Sequence, residues 1–223
     1  MTSRHTARRW LALIVLLLGG IGRADEQSLS APPAPVPDAA TLQRLRAGEI
    51  IVKDTREDET GGSAIAQAVF HATPGKIWSV LRDCKANLRF VAGLKECQVL
   101  EYTETHAITR QVVDKGWLMP RLEYRFETIR HPPDWVIIRL LDGDLKQMEG
   151  SWRFEPLADG GGLLVTHEIH VEPRMAAPRW LVRRSLHHDI GNMIACLRYE
   201  AAASGSEQQR AADHALCPKS GDG

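Results

Sequence analysis

Between Glu96 and Glu172 the chain passes through six strand-like segments separated by little more than turn residues, and this constrains the fold more than any other feature. The segments are Glu96–Glu104, His106–Asp114, Leu122–Arg130, Trp135–Asp142, Gln147–Pro156 and Leu163–Glu172. They are rich in β-branched and aromatic residues, and apolar positions alternate with charged ones along the clearest of them. Pro132-Pro133-Asp134, Asp142-Gly143-Asp144 and Asp159-Gly160-Gly161-Gly162 supply turn chemistry between them. A parallel neighbour needs a crossover of a dozen or more residues, so connections this short predict an antiparallel meander.

Two further strands precede it, Gly48–Asp54 and Ser63–Ala72, joined by a polar turn. At Thr73-Pro74 the period changes. Thr73 suits an N-cap and Pro74 the first helical position, with Ile77, Trp78 and Leu81 at helical spacing. A second short helix is expected over Asn87–Ala92. A last helix follows the meander from Pro178 to Ala203, with Leu186, Ile190, Met193, Ile194 and Leu197 recurring at three- and four-residue intervals. At 1.5 Å per residue it is about 39 Å long, enough to lie across a whole curved sheet.

The ends of the chain read differently. Arg8-Arg9, the apolar run Trp10–Leu18 and the small residues at Gly22-Arg23-Ala24 resemble a signal peptide over residues 1–24. A run this short falls below the roughly 20 apolar residues of a spanning helix. The alternative is an uncleaved anchor in the inner membrane; on either reading the domain is exported, with the periplasm as its compartment. Residues 25–40, rich in Pro, Ala and Ser, read as a flexible linker, residues 41–203 as one domain, and residues 204–223 as a disordered polar tail.

Formal net charge is zero. Without Arg4, Arg8, Arg9 and Arg23, 24 basic residues face 28 acidic ones, a net of −4. That balance argues against nucleic acid, whose phosphates demand a concentrated basic surface. Four cysteines in an exported chain allow disulfides. Cys84 with Cys97 and Cys196 with Cys217 are the sequence-local pairings; three connectivities exist, and four unpaired thiols are the other reading. Neither a CxxC motif nor a Cys/His zinc spacing is present, so no metal and no cofactor is expected.

Three stretches resemble the START-like superfamily and its polyketide cyclase/dehydrase branch, which includes coenzyme-Q-binding proteins. They are Ala72-Thr73-Pro74 through Asp83, Phe90-Val91-Ala92-Gly93-Leu94 with Val99-Leu100, and Met148-Glu149-Gly150-Ser151-Trp152-Arg153-Phe154-Glu155-Pro156. The resemblance spans residues 48–200. It implies an α+β helix-grip fold: a curved antiparallel sheet wrapped around a long C-terminal helix, with two short helices after the first long strand. It also implies an internal cavity for an apolar small molecule such as a quinone or another lipid.

Alternation then nominates the cavity wall. Tyr124 and Phe126 alternate with charged neighbours, and Met148, Gly150, Trp152 and Phe154 share one face, as do Val165, His167, Ile169 and Val171. Ile190, Gly191, Met193 and Ile194 of the long helix complete it. The other reading of these side chains is an ordinary packed core with a satisfied histidine. Gly191 costs about 1 kcal/mol in mid-helix, so either a ligand above it or close packing on the sheet is expected to offset it. Arg179, Trp180, Arg183 and Arg184 begin that helix. They suit docking on an anionic membrane, or a solvated face paired with acids such as Glu172.

Enzymatic constellations are sparse. His167 and His170 fall on opposite strand faces, no serine sits in a nucleophile elbow, and Gly160-Gly161-Gly162 lies between strands. A carrier is the first expectation. A cyclase-like enzyme using His167 and Tyr124 as acid or base is the alternative.

Overall fold

The computed structural model describes residues 34–55, 61–116, 121–175, 178–202 and 207–217. The expected signal peptide and residues 25–33 of the expected linker lie outside the described residues. Eight strands form one antiparallel sheet: β1 (Ile51–Asp54), β2 (Gly62–Phe70), β3 (Leu94–Tyr102), β4 (His106–Val113), β5 (Leu122–His131), β6 (Trp135–Gly143), β7 (Leu145–Pro156) and β8 (Leu163–Pro173). Their order is β1-β2-β8-β7-β6-β5-β4-β3, so consecutive strands from β3 to β8 are neighbours and β2 closes beside β8. This is the helix-grip arrangement, an open curved sheet with α4 (Arg179–Ala201) on its concave face.

Small residues decide where that helix sits. Gly62, Ala64, Ala66 and Ala68 share the concave face of β2, and the three alanines are fully buried. A Cβ on Gly62 would lie 3.3 Å from both Val182 and Leu186 of α4. The helix therefore rests on β2, while larger side chains on β4 to β8 hold it away from the rest of the sheet. Outward positions are charged: Arg110 of β4 bridges Glu96 (2.9 Å) and Glu123 (2.6 Å) across three strands, and Arg125 meets Asp142 at 2.8 Å.

Two short helices link β2 to β3. α2 (Pro74–Leu81) starts on Thr73, whose hydroxyl accepts from the Lys76 amide at 3.3 Å. α3 (Cys84–Phe90) begins three residues before the position expected from periodicity, because Asp83 caps it through the Lys85 amide at 2.8 Å. A disulfide between Cys84 and Cys97 ties its first residue to β3.

The boundaries of the folded part are wider than composition suggests. α1 (Ala39–Arg46) begins two residues before the end of the expected linker, capped by the Asp38 carboxylate on the Thr41 amide at 2.7 Å. Leu45 packs with Ile51, Val69 and Leu164 on the convex face of the sheet, and Gln67 donates to the Pro35 carbonyl at 2.9 Å. At the other end, the expected disordered tail contains α5 (Glu207–Ala215). Buried Arg198 of α4 holds Asp213 of α5 through two hydrogen bonds of 2.8 and 2.7 Å, and Cys196 is bonded to Cys217.

Candidate functional site

The space that β2 leaves under the rest of α4 is a cavity of about 310 Å³, within the range of small-molecule sites. Val182, Ser185, Leu186, Asp189, Ile190 and Met193 face it, one stripe at three- and four-residue spacing along the helix. Opposite them stand the inward residues of the sheet, with Tyr124, Phe126, Thr128 and Arg130 alternating along β5. α2 and α3 close one side through Trp78, Leu81 and Phe90.

His167 is a buried polar group of the lining. Its ring stacks on Trp152 with centroids 3.9 Å apart, and Nδ1 donates to the Ser151 carbonyl at 2.9 Å. Burial pushes its pKa down to about 4, and the bond to Ser151 offsets only part of that. The ring is neutral near pH 7. With the proton on Nδ1, Nε2 is left as an acceptor on a ring that lines the cavity. Tyr124 donates its hydroxyl to Gln111 Oε1 at 3.0 Å, and burial pushes the phenol well above its ordinary range. His170, by contrast, meets Ser63 Oγ at 2.6 Å on the convex face.

Of the residues nominated for the wall, Tyr124, Phe126, Met148, Trp152, His167, Ile169, Val171, Ile190 and Met193 line the cavity. Gly150 and Val165 do not line it, and three further nominations are corrected. Phe154 is buried outside the lining, its ring 5.4 Å from Trp78. Ile194 is fully buried where the second half of α4 packs into the core. Gly191 neither faces the cavity nor packs tightly, since a Cβ there would meet only Val52 at 3.6 Å. Strand parity gives the side of a sheet but not how far along it the space extends, and this separates Phe154 from Trp152.

At the start of α4, Trp180 is 66% exposed, and Arg179 and Arg184 are exposed. Arg183 meets Asp54 at 3.3 Å. Glu172 meets Lys146 at 2.8 Å.

Several lining groups were not nominated from sequence: Trp78, Arg82, Tyr102, Gln111, Arg130 and the Lys115–Asp189 pair. For Arg130 the signal was present. It continues the Tyr124, Phe126, Thr128 alternation, but an arginine at a strand end reads as surface by default.

A family model described as polyketide cyclase/dehydrase and lipid transport matches residues 70–198. Among curated proteins none matches this chain. Several solved structures share its fold. A STAR-related lipid transfer protein fragment from Xanthomonas axonopodis is 18% identical with a TM-score of 0.56, covering 67% of this chain and 91% of its own. Human STARD10 is 11% identical with a TM-score of 0.56, covering 75% and 81%. A START superfamily protein from Mycobacterium smegmatis is 16% identical with a TM-score of 0.50, covering 69% and 97%.

Proposed function

Because the chain belongs to the polyketide cyclase/dehydrase and lipid transport family, we propose that it binds and carries one lipid-like molecule in this cavity without transforming it. The observation that carries the reading is the wall itself: apolar over most of its extent, with polar groups at a few separate positions. Its buried acid–base candidates are poor catalysts near neutral pH. A histidine pushed down to about 4 is a weak base, and a phenol raised by burial and committed to Gln111 is a weak acid. As a recognition group, however, neutral His167 is well defined. It accepts, so it suits a ligand hydroxyl; for a quinone, this favours the reduced form over the oxidised one.

We further place the carrier outside the cytoplasm, in the periplasm, on the basic n-region and apolar run at its start. Delivery at an anionic membrane surface is the reading we give to Trp180 with Arg179 and Arg184, since an exposed indole beside cations suits the lipid interface.

Native mass spectrometry of the full chain after gentle purification, followed by organic extraction, tests carriage. The expected result is a lipid-like adduct that extraction removes. A protein that emerges empty and takes up no apolar probe overturns the proposal. Turnover of a polyketide-like substrate, lost in His167→Ala while binding persists, would replace carriage with catalysis.

A further inference from the structure

Four hydrogen-bond donors converge on one end of the cavity, where no acidic side chain among the described residues meets them. Trp78 and Arg82 lie four residues apart on and just after α2, and so share one face. Tyr102 ends β3, and Arg130 is the last inward position of β5. All four line the cavity. Arg82 Nη1 donates to the Tyr102 hydroxyl at 3.0 Å, and the Arg130 guanidinium lies 4.6 Å over the Tyr102 ring.

Arg130 is only 7% exposed. Its Nη2 donates to the carbonyls of Thr103 and His106, which position the guanidinium without neutralising it. Its Nε and the Trp78 indole Nε1 are buried donors without an acceptor. A buried charge held by carbonyl dipoles and one aromatic face, without a counterion, is costly, and unsatisfied donors beside it add to that cost. Arg130 Nε and Trp78 Nε1 both lack an acceptor, and an anionic one would also neutralise Arg130.

The opposite end of the cavity differs. There Lys115 meets Asp189, with Ser185 donating to the same carboxylate oxygen at 3.0 Å, so the charge is neutralised within the protein. Leu122 of β5 stands near that end and Arg130 at the other, about 26 Å apart at the usual rise per strand residue. Between them the inward side chains are Tyr124, Phe126 and Thr128, a mainly apolar track. A volume of about 310 Å³ lies at the small end of ligand sites and suits one chain rather than two.

We propose that the ligand is a single-chain amphiphile with an anionic oxyacid head, a carboxylate or a phosphate monoester. Arg130 and Arg82 pair with the head, the Tyr102 hydroxyl donates to it, and the chain runs along β5 toward the Lys115–Asp189 pair. This rests on the carriage reading and narrows the carried molecule from any lipid-like compound, quinones included, to acids.

The test is titration of the full chain with hexadecanoate, hexadecyl phosphate and hexadecanol below their aggregation limits, followed by tryptophan fluorescence. One or both acids are expected to bind about tenfold or more tightly than the alcohol, as a charge-assisted contact implies. Whichever acid binds better identifies the head. Arg130→Gln is expected to bring the acid-to-alcohol ratio close to one. Should that variant fail to fold, Arg82→Gln, at an exposed position, is expected to reduce the ratio about threefold. Equal binding of acids and alcohol to the wild type, or a ratio untouched by either substitution, overturns the acidic head and leaves carriage standing. Binding of none of the three overturns both.

Discussion

His167 shows how much one side chain takes from its surroundings. Histidine ordinarily titrates near 6.5, and burial against Trp152 brings this one down to about 4. Between those values the unfolded chain holds a proton that the folded chain excludes. Its contribution to stability is therefore complete above about pH 6.5 and is lost as the pH falls toward 4. At about 1.4 kcal/mol per unit, the whole loss is roughly 3 kcal/mol. Urea midpoints measured at pH 7 and pH 5 are expected to separate more for the wild type than for His167→Gln, which keeps a donor for the Ser151 carbonyl. Equal separation in the two proteins would assign the acid sensitivity elsewhere. Gly150 is a second case. A Cβ there would lie 2.7 Å from the Glu168 carbonyl oxygen and 2.7 Å from Ile169 Cδ1, so the strand is bare where Ile169 leans across it. Gly150→Ala is expected to cost roughly 1–3 kcal/mol by overpacking, read as a lower melting temperature. The sequence shows a glycine in a strand; only the neighbouring strand shows why.

At the scale of elements, α4 carries the clearest predictions. Asp213 reaches it from α5, and both partners of the Arg198–Asp213 pair are buried. Asp213→Ala leaves a buried guanidinium without its counterion, a loss of about 3–5 kcal/mol. Thermal unfolding should move down by several degrees, and wild-type melting would show that α5 is not coupled to the core. Gly191 predicts the opposite sign. Its Cβ would find ordinary contact with Val52, so Gly191→Ala is expected to stabilise α4 by up to about 1 kcal/mol. A loss of stability there would contradict the open geometry. α4 itself was legible from its period of three and four. α1 and α5 were not, because their sequences are polar and their stability comes from partners far away in the chain: Val69 and Leu164 under Leu45, and Arg198 beside Asp213.

For the whole molecule, the exposed start of α4 and the cavity lie on the same helix, which links uptake to contact with a surface. Sedimentation with vesicles is expected to be stronger for anionic than for zwitterionic lipid, and to weaken in Trp180→Ala and Arg184→Gln. Arg183→Gln is expected to act more through stability, since that side chain is engaged with Asp54. Vesicle binding indifferent to lipid charge and to Trp180 would remove this face from consideration. The meander, the long helix, the order of elements and most of the apolar wall follow from the sequence, because periodicity and turn residues act locally and each strand carries its own record of inside and outside. The position of the cavity along that wall, the neutral state of His167 and the unneutralised cations at one end follow only from the tertiary structure. Small residues on β2 seat the helix at one place and larger ones lift it at another, and a charge is unpaired only with respect to neighbours that are distant in the chain.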